Sequence, residues 1–165
     1  MKKWFVPLMV GLPAAAFAAS TPDESFFKDA AQAGMAEVSA GRTAEQKGTS
    51  PAVKEFAAMM VKDHSAANAK LKKIAMAKGV ELPDSPSMMQ KAMNKKTDLH
   101  SGASFDKDYI QGQIKAHKDT IELLQKEIDT GQDPQGKAFA TETLPKVKAH
   151  LDKIMKIAAD AGVSS

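Results

Sequence analysis

Apolar side chains recur every three or four residues along four long stretches of the chain, the spacing of one face of an α-helix. The clearest runs are Val53, Phe56, Met60, His64, Ala67, Leu71 and Ile74, then Ile110, Ile114, His117, Ile121, Leu124 and Ile128. A third is Ala140, Leu144, Val147, Leu151, Ile154 and Ala158. The fourth is built of smaller residues, Phe27, Ala30, Gly34, Val38 and Gly41, and would let a neighbouring helix approach closely. Capping signals set the ends. Proline follows a capping residue at Thr21-Pro22, Ser50-Pro51, Ser85-Pro86 and Asp133-Pro134, where its missing N–H costs nothing. Thr21 through Glu24 also fits a capping box. Gly48, Gly79 and Gly131 follow helical patterns as left-handed stops. These signals predict α1 over 22–47, α2 over 51–78, a short α3 over 86–98, α4 over 104–130 and α5 over 134–161. Pro145 lies inside α5 and predicts a kink or a broken turn there.

Each long helix has one apolar face on a charged cylinder, so the faces must be buried against one another. The short α1–α2 and α4–α5 connections predict two antiparallel hairpins. The connection from α2 to α4 is long enough to travel back along α2, which at 1.5 Å per residue is about 42 Å. The expected fold class is therefore all-α: a ferritin-like four-helix bundle with one long crossover that contains a short helix.

The first residues belong to a different logic. Met1-Lys2-Lys3 is a positive start, Trp4 through Leu12 is apolar, and Ala16 and Ala18 form a small-residue cleavage pattern. This predicts a signal peptide over 1–18, cut after Ala18, and a single domain over 19–165 exported to the periplasm. The apolar stretch is too short for a transmembrane span. With Lys2 and Lys3 removed, the remaining Lys and Arg nearly balance the 20 Asp and Glu. The single Trp leaves with the leader, and no basic run is interleaved with aromatics, so no nucleic-acid partner is expected. Cys is absent, which excludes disulfide scaffolds, thiolate metal sites and thiol nucleophiles. The lysines of α2 (Lys54, Lys62, Lys70, Lys72, Lys73 and Lys78) read as a solvated surface with apolar stems.

Two histidines stand where the stripe calls for leucine: His64 in α2 and His117 in α4. His150 flanks the stripe of α5, and Glu37 flanks that of α1. All four lie near the midpoints of their helices, so a bundle would bring them to a common level within roughly 5 Å of one plane. Two readings follow. One carboxylate and three imidazoles can bind one zinc, copper or iron ion, zinc or copper being preferred. Alternatively they form a buried polar layer that sets helix register inside a structural or stress-related interaction module, whose partner would be another envelope protein. Neighbouring Asp63 points elsewhere on its helix and reads as solvated, as do Asp119 and Asp152. Di-iron chemistry is disfavoured because it uses Glu-x-x-His on two helices, and no Glu here has His three residues on. Serine catalysis has no supporting motif. A metal-dependent oxidase or hydrolase would need an open coordination position and a cleft. The primary expectation is a non-enzymatic protein. Met88, Met89, Met93 and His100 in the crossover suit soft Cu(I), but such methionines more often dock as adaptable packing; Met60 fits either core or a soft ligand.

Three segments carry a family resemblance: AAQAGMAEVSAGRTAEQKGTSPAVKEFAAMMVKDHSAANAKLKKIA, FDKDYIQGQIKAHKDTIELLQKEIDTG and ATETLPKVKAHLDKI. Their D-H-S, F-D-x-x-Y-I and L-P-x-x-x-x-H signatures resemble the exported bacterial proteins grouped as Domain of Unknown Function 4142, across about 23–160. The resemblance implies a ferritin-like bundle in the cell envelope, sometimes labelled an outer-membrane protein, although no barrel strands or anchor are predicted. The family's recurrent Glu and His positions match Glu37, His64, His117 and His150. It implies no activity.

Overall fold

A computed structural model describes residues 22–164, in which five helices are found: α1 Pro22–Lys47, α2 Pro51–Ala77, α3 Met88–Asp98, α4 Gly102–Thr130 and α5 Pro134–Asp160. The described residues contain no strand, so the chain is all-α as the periodicity requires. The expected signal peptide over 1–18 and the Thr21 cap lie outside the described residues.

Local chemistry explains where the helix ends depart from expectation. The cap of α3 is Ser87, not Ser85: the Ser87 N–H donates to Gln90 Oε1 at 2.9 Å and the Gln90 N–H to Ser87 Oγ at 3.3 Å. That reciprocal pair satisfies two otherwise orphaned donors, which a cap at Ser85 could not do. Asp133 caps α5 as expected, accepting from the Gln135 and Gly136 N–H groups at 2.8 Å. Ser50 makes no side-chain cap. Gly79 does adopt a positive φ of 69° after α2, but Gly48 and Gly131 do not. A Cβ at Gly48 would stand 2.6 Å from the Ala44 carbonyl, so crowding rather than handedness explains that glycine. α5 continues unbroken through Pro145.

Two end clamps set the directions of the helices. At one end the buried Asp106 carboxylate, in the first turns of α4, accepts from the Thr49 N–H at 3.0 Å, Thr49 Oγ1 at 2.5 Å and the Ser50 N–H at 2.8 Å. It thereby takes over the turn that Ser50 leaves uncapped. At the other end Asp23, starting α1, accepts from the N–H groups of Gln132 at 2.7 Å and Asp133 at 3.0 Å, and Lys78 pairs with Asp133. Thus α2 and α4 begin at the same end, and residues 78–101 run back along the bundle. α1 packs against α2 and α4, and α5 against the same two from the other side, while α3 lies outside against α1 and α4. The small-residue stripe of α1 does bring α2 close: a Cβ at Gly34 would collide with the Asn68 side chain, and one at Gly41 would sit 2.9 Å from Val61 Cγ2.

The core falls into two clusters. One contains Ala44, Phe56, Met60, Phe105, Ile110, Ile114 and Ile154; the other contains Phe26, Phe27, Leu71, Leu124, Phe139 and Val147. Met60 is therefore a core residue, fully buried. No helix among the described residues is long and apolar enough to cross a membrane.

At the second end Glu127 is buried beside Asp23, and its Oε1 has no hydrogen-bond partner. Burial, followed by the neighbouring Asp23 and Asp133, pushes its carboxyl up to about 7. Cβ atoms at Gly131 or Gly136 would press on this same side chain. Because the folded value lies above the unfolded one, the native state holds the proton more tightly. That contribution is complete below about pH 4.5 and is lost as pH rises through about 7. Glu127→Gln should therefore match wild type in urea unfolding at pH 5 and exceed it by roughly 1–2 kcal/mol at pH 8. Asp106→Ala should destabilise by about 2–4 kcal/mol in the same assay at neutral pH, since it strips a buried turn of several charge-assisted bonds.

Candidate metal centre

Between the two apolar clusters lies a polar layer. Along α2 the buried stripe reads Met60, His64, Leu71; along α4, Ile114, His117, Leu124; along α5, Val147, His150, Ile154. Each histidine is the point where one cluster gives way to the other. On α1 the corresponding residue is Glu37, which is buried, whereas Val38 is only half-buried. The buried face of α1 thus turns through Glu37 instead of leaving it at a flank.

The three imidazoles face one another. Ring centroids are separated by 5.8 Å for His64–His117, 5.7 Å for His64–His150 and 5.6 Å for His117–His150. One potential ligand atom from each lies within 4.8 Å of the others. His64 Nε2, His117 Nε2 and His150 Nδ1 are all buried without a hydrogen-bond partner.

Their opposite nitrogens reveal the protonation pattern. His117 Nδ1 is 2.8 Å from the Gln113 backbone carbonyl, which can only accept, so Nδ1 carries a proton and the neutral ring has its lone pair on Nε2. The i to i−4 relation on α4 builds this bond into the helix itself. His150 Nε2 is 3.0 Å from Asp63 Oδ2, so it donates to the carboxylate and leaves its lone pair on Nδ1. Asp63 was expected to be solvated. It instead reaches across from α2 to orient the α5 histidine, an arrangement typical of metal-ligating imidazoles. No sequence spacing signals it, because the two residues are 87 positions apart.

Burial disfavours the charged form of two of the three rings. Burial, then His117 and His150, lower the His64 pKa to about 3, against the opposing pull of Asp63. Burial also lowers that of His150, with Asp63 opposing. Glu37 moves the other way: burial raises its pKa, while His117 and a hydrogen bond from the Gln113 side chain oppose the rise. Glu37 is thus beside His117, but outside the group of three whose donor atoms converge. Three imidazoles so placed can hold a single cation when each turns a lone pair toward it, and a set of three leaves room for a further ligand.

The crossover residues do not join this layer. Met88 and Met89 are exposed instead of docking as packing, and Met93 is partly exposed. His100 pairs with Asp108. The α2 lysines are mostly solvated as expected, with Lys70 paired to Glu142 and Lys78 to Asp133.

The fold has counterparts among solved structures. A DUF305 protein from Streptomyces coelicolor superposes with a TM-score of 0.76 at 13% identity, covering 90% of this chain and 98% of its own. CopM in its Cu(I)-bound form gives 0.70 at 14% identity, with 85% and 97% covered. CopM soaked with silver gives 0.70 at 13% identity, with 86% and 98% covered. At these identities the likeness establishes the helical fold. The comparison with curated proteins gives no match. The model of the family described as Domain of unknown function (DUF4142) matches residues 9–157, and the chain belongs to that family.

Proposed function

We propose that this is a non-enzymatic exported protein that binds one transition-metal ion in the middle of its bundle, through His64, His117 and His150. The supporting observations are that three buried imidazoles each offer a ligand atom within 4.8 Å of the others and that each has a buried nitrogen without a hydrogen-bond partner. Neutral imidazole suits zinc and copper, and the absence of any Glu-x-x-His pair argues against a di-iron centre. The copper- and silver-bound forms of CopM, a protein of similar fold, favour copper. Glu37 serves as a fourth ligand or as the partner that offsets the ion's charge beside His117. Asp63 and the Gln113 carbonyl hold two of the rings in the ligating tautomer.

A register-setting polar layer is the rival reading. It would have the histidines satisfy one another, yet each inward nitrogen lacks a partner. The leader pattern further supports export to the periplasm, with cleavage after Ala18; mass spectrometry of the chain recovered from the periplasm should then show Ala19 as its first residue.

Equilibrium dialysis with elemental analysis tests the metal site. One copper or zinc ion per chain is expected at micromolar free ion, and none above background for the His64→Ala/His117→Ala double variant. Equal uptake by both proteins, or no uptake by either, would sink the proposal. Asp63→Ala should retain the site but weaken it by about 10–100-fold, because His150 loses its orienting partner.

A further inference from the structure

A cleft of about 650 Å³ lies between α1, α3 and α4, on the side of the bundle that the crossover spans. None of the three clustered histidines lines it. Its buried side is formed by Glu37, Tyr109 and Gln113, each at most 5% exposed. Glu37 Oε2, Tyr109 Oη and Gln113 Oε1 are all buried without a hydrogen-bond partner. The Gln113 side chain spends its bond on Glu37, leaving its own carbonyl oxygen free.

Three unsatisfied polar atoms in one place are costly unless something pairs with them. Two of the three, the amide carbonyl and the carboxyl oxygen, accept hydrogen bonds, and the phenol can accept as well. A matching ligand must therefore bring several N–H or O–H donors on one head. Of the charged lining residues, Asp98 pairs with Lys47, Asp108 with His100 and Asp119 with Lys115, which leaves Asp29 and Lys96, so the head group is chosen by the buried acceptors and not by net charge. Among the other lining residues, which include polar Gln32, Thr43, Asn94 and Thr120, Ala33, Ala36, Ala40 and Ala116 make room and Phe105 and Leu123 can cover a hydrocarbon chain. The volume suits a small organic molecule and far exceeds what a single ion needs.

We infer that this cleft is a second binding site, for a small organic ammonium compound whose NH₃⁺ head rests on Glu37, Tyr109 and Gln113 and whose apolar chain lies along the alanines of α1. An ammonium group supplies three donors to three partners, and a carboxylate of the same length supplies none. The site shares Glu37 with the proposed metal centre, so it is tested on the metal-free chain.

Two-dimensional NMR titration of the full chain after chelator treatment, with n-hexylammonium, hexanol and hexanoate as probes, tests the inference. Hexylammonium should bind at least about tenfold more tightly than hexanoate, with hexanol between them, and shifts should centre on Tyr109, Gln113 and Ala36. Tyr109→Phe and Gln113→Leu should each weaken hexylammonium binding by about fivefold or more while leaving the helical circular dichroism intact. If Gln113→Leu fails to fold, Tyr109→Phe decides. Equal affinity for hexanoate, shifts confined to surface carboxylates, or no saturable binding would overturn the site and leave the cleft to water. Because no metal is present in the titration, its outcome is separate from that of the dialysis.

Discussion

Three imidazoles in a dry layer between two hydrocarbon clusters impose the central constraint on this bundle. Each ring brings two nitrogens into a region where an unpaired polar atom costs about 1–3 kcal/mol. One nitrogen of His117 and one of His150 are satisfied outward, by a backbone carbonyl and by Asp63. The inward ones are not. Both outward partners are acceptors, so in their neutral forms His117 and His150 keep their other nitrogens as acceptors, and two such nitrogens cannot hydrogen-bond to each other.

The rest of the architecture makes that layer tolerable. Packing above and below it is dense, with Phe56, Met60 and Ile154 on one side and Leu71, Leu124 and Val147 on the other. The ends are tied by carboxylates that accept backbone N–H groups across helix turns, Asp106 at one end and Asp23 at the other. These clamps fix the relative sliding of the helices, and with it the level at which the three rings meet. A sliding error of one residue on α2 would move His64 by about 1.5 Å along its axis and turn it off the common face.

Much of this was legible from spacing. The all-α class, the long helices and the crossover follow from the three-and-four rhythm and the proline caps. The mid-helix coincidence of His64, His117 and His150 predicted their meeting. The departures have two causes: contacts between residues remote in sequence, for Asp63 and Glu127, and local crowding or capping, for Gly48 and Ser87. Asp63 was read as solvated because its own helix places it off the stripe, yet α5 supplies its partner. Gly48 was read as a left-handed stop, when the crowding of a Cβ against the Ala44 carbonyl explains it. Ser87 rather than Ser85 caps α3 because only Ser87 has a glutamine three residues on. Nothing in the spacing marks Glu127, because its burial follows from the way the α4–α5 turn meets Asp23 at the start of α1.

Glu37 joins the two halves of the functional picture. It occupies the layer of the histidines, yet it also lines the cleft under α3, on whose side the crossover carries only a short helix none of whose own residues is buried. A bundle with a fifth long helix there would seal Glu37, Tyr109 and Gln113 in apolar packing. The long connection leaves that flank open instead, so the cleft reaches down to these buried residues without disturbing the two clusters. The same topological choice that returns the chain to begin α4 beside α2's start therefore creates the cleft. It also places a buried carboxyl between an external ligand on one side and His117 on the other.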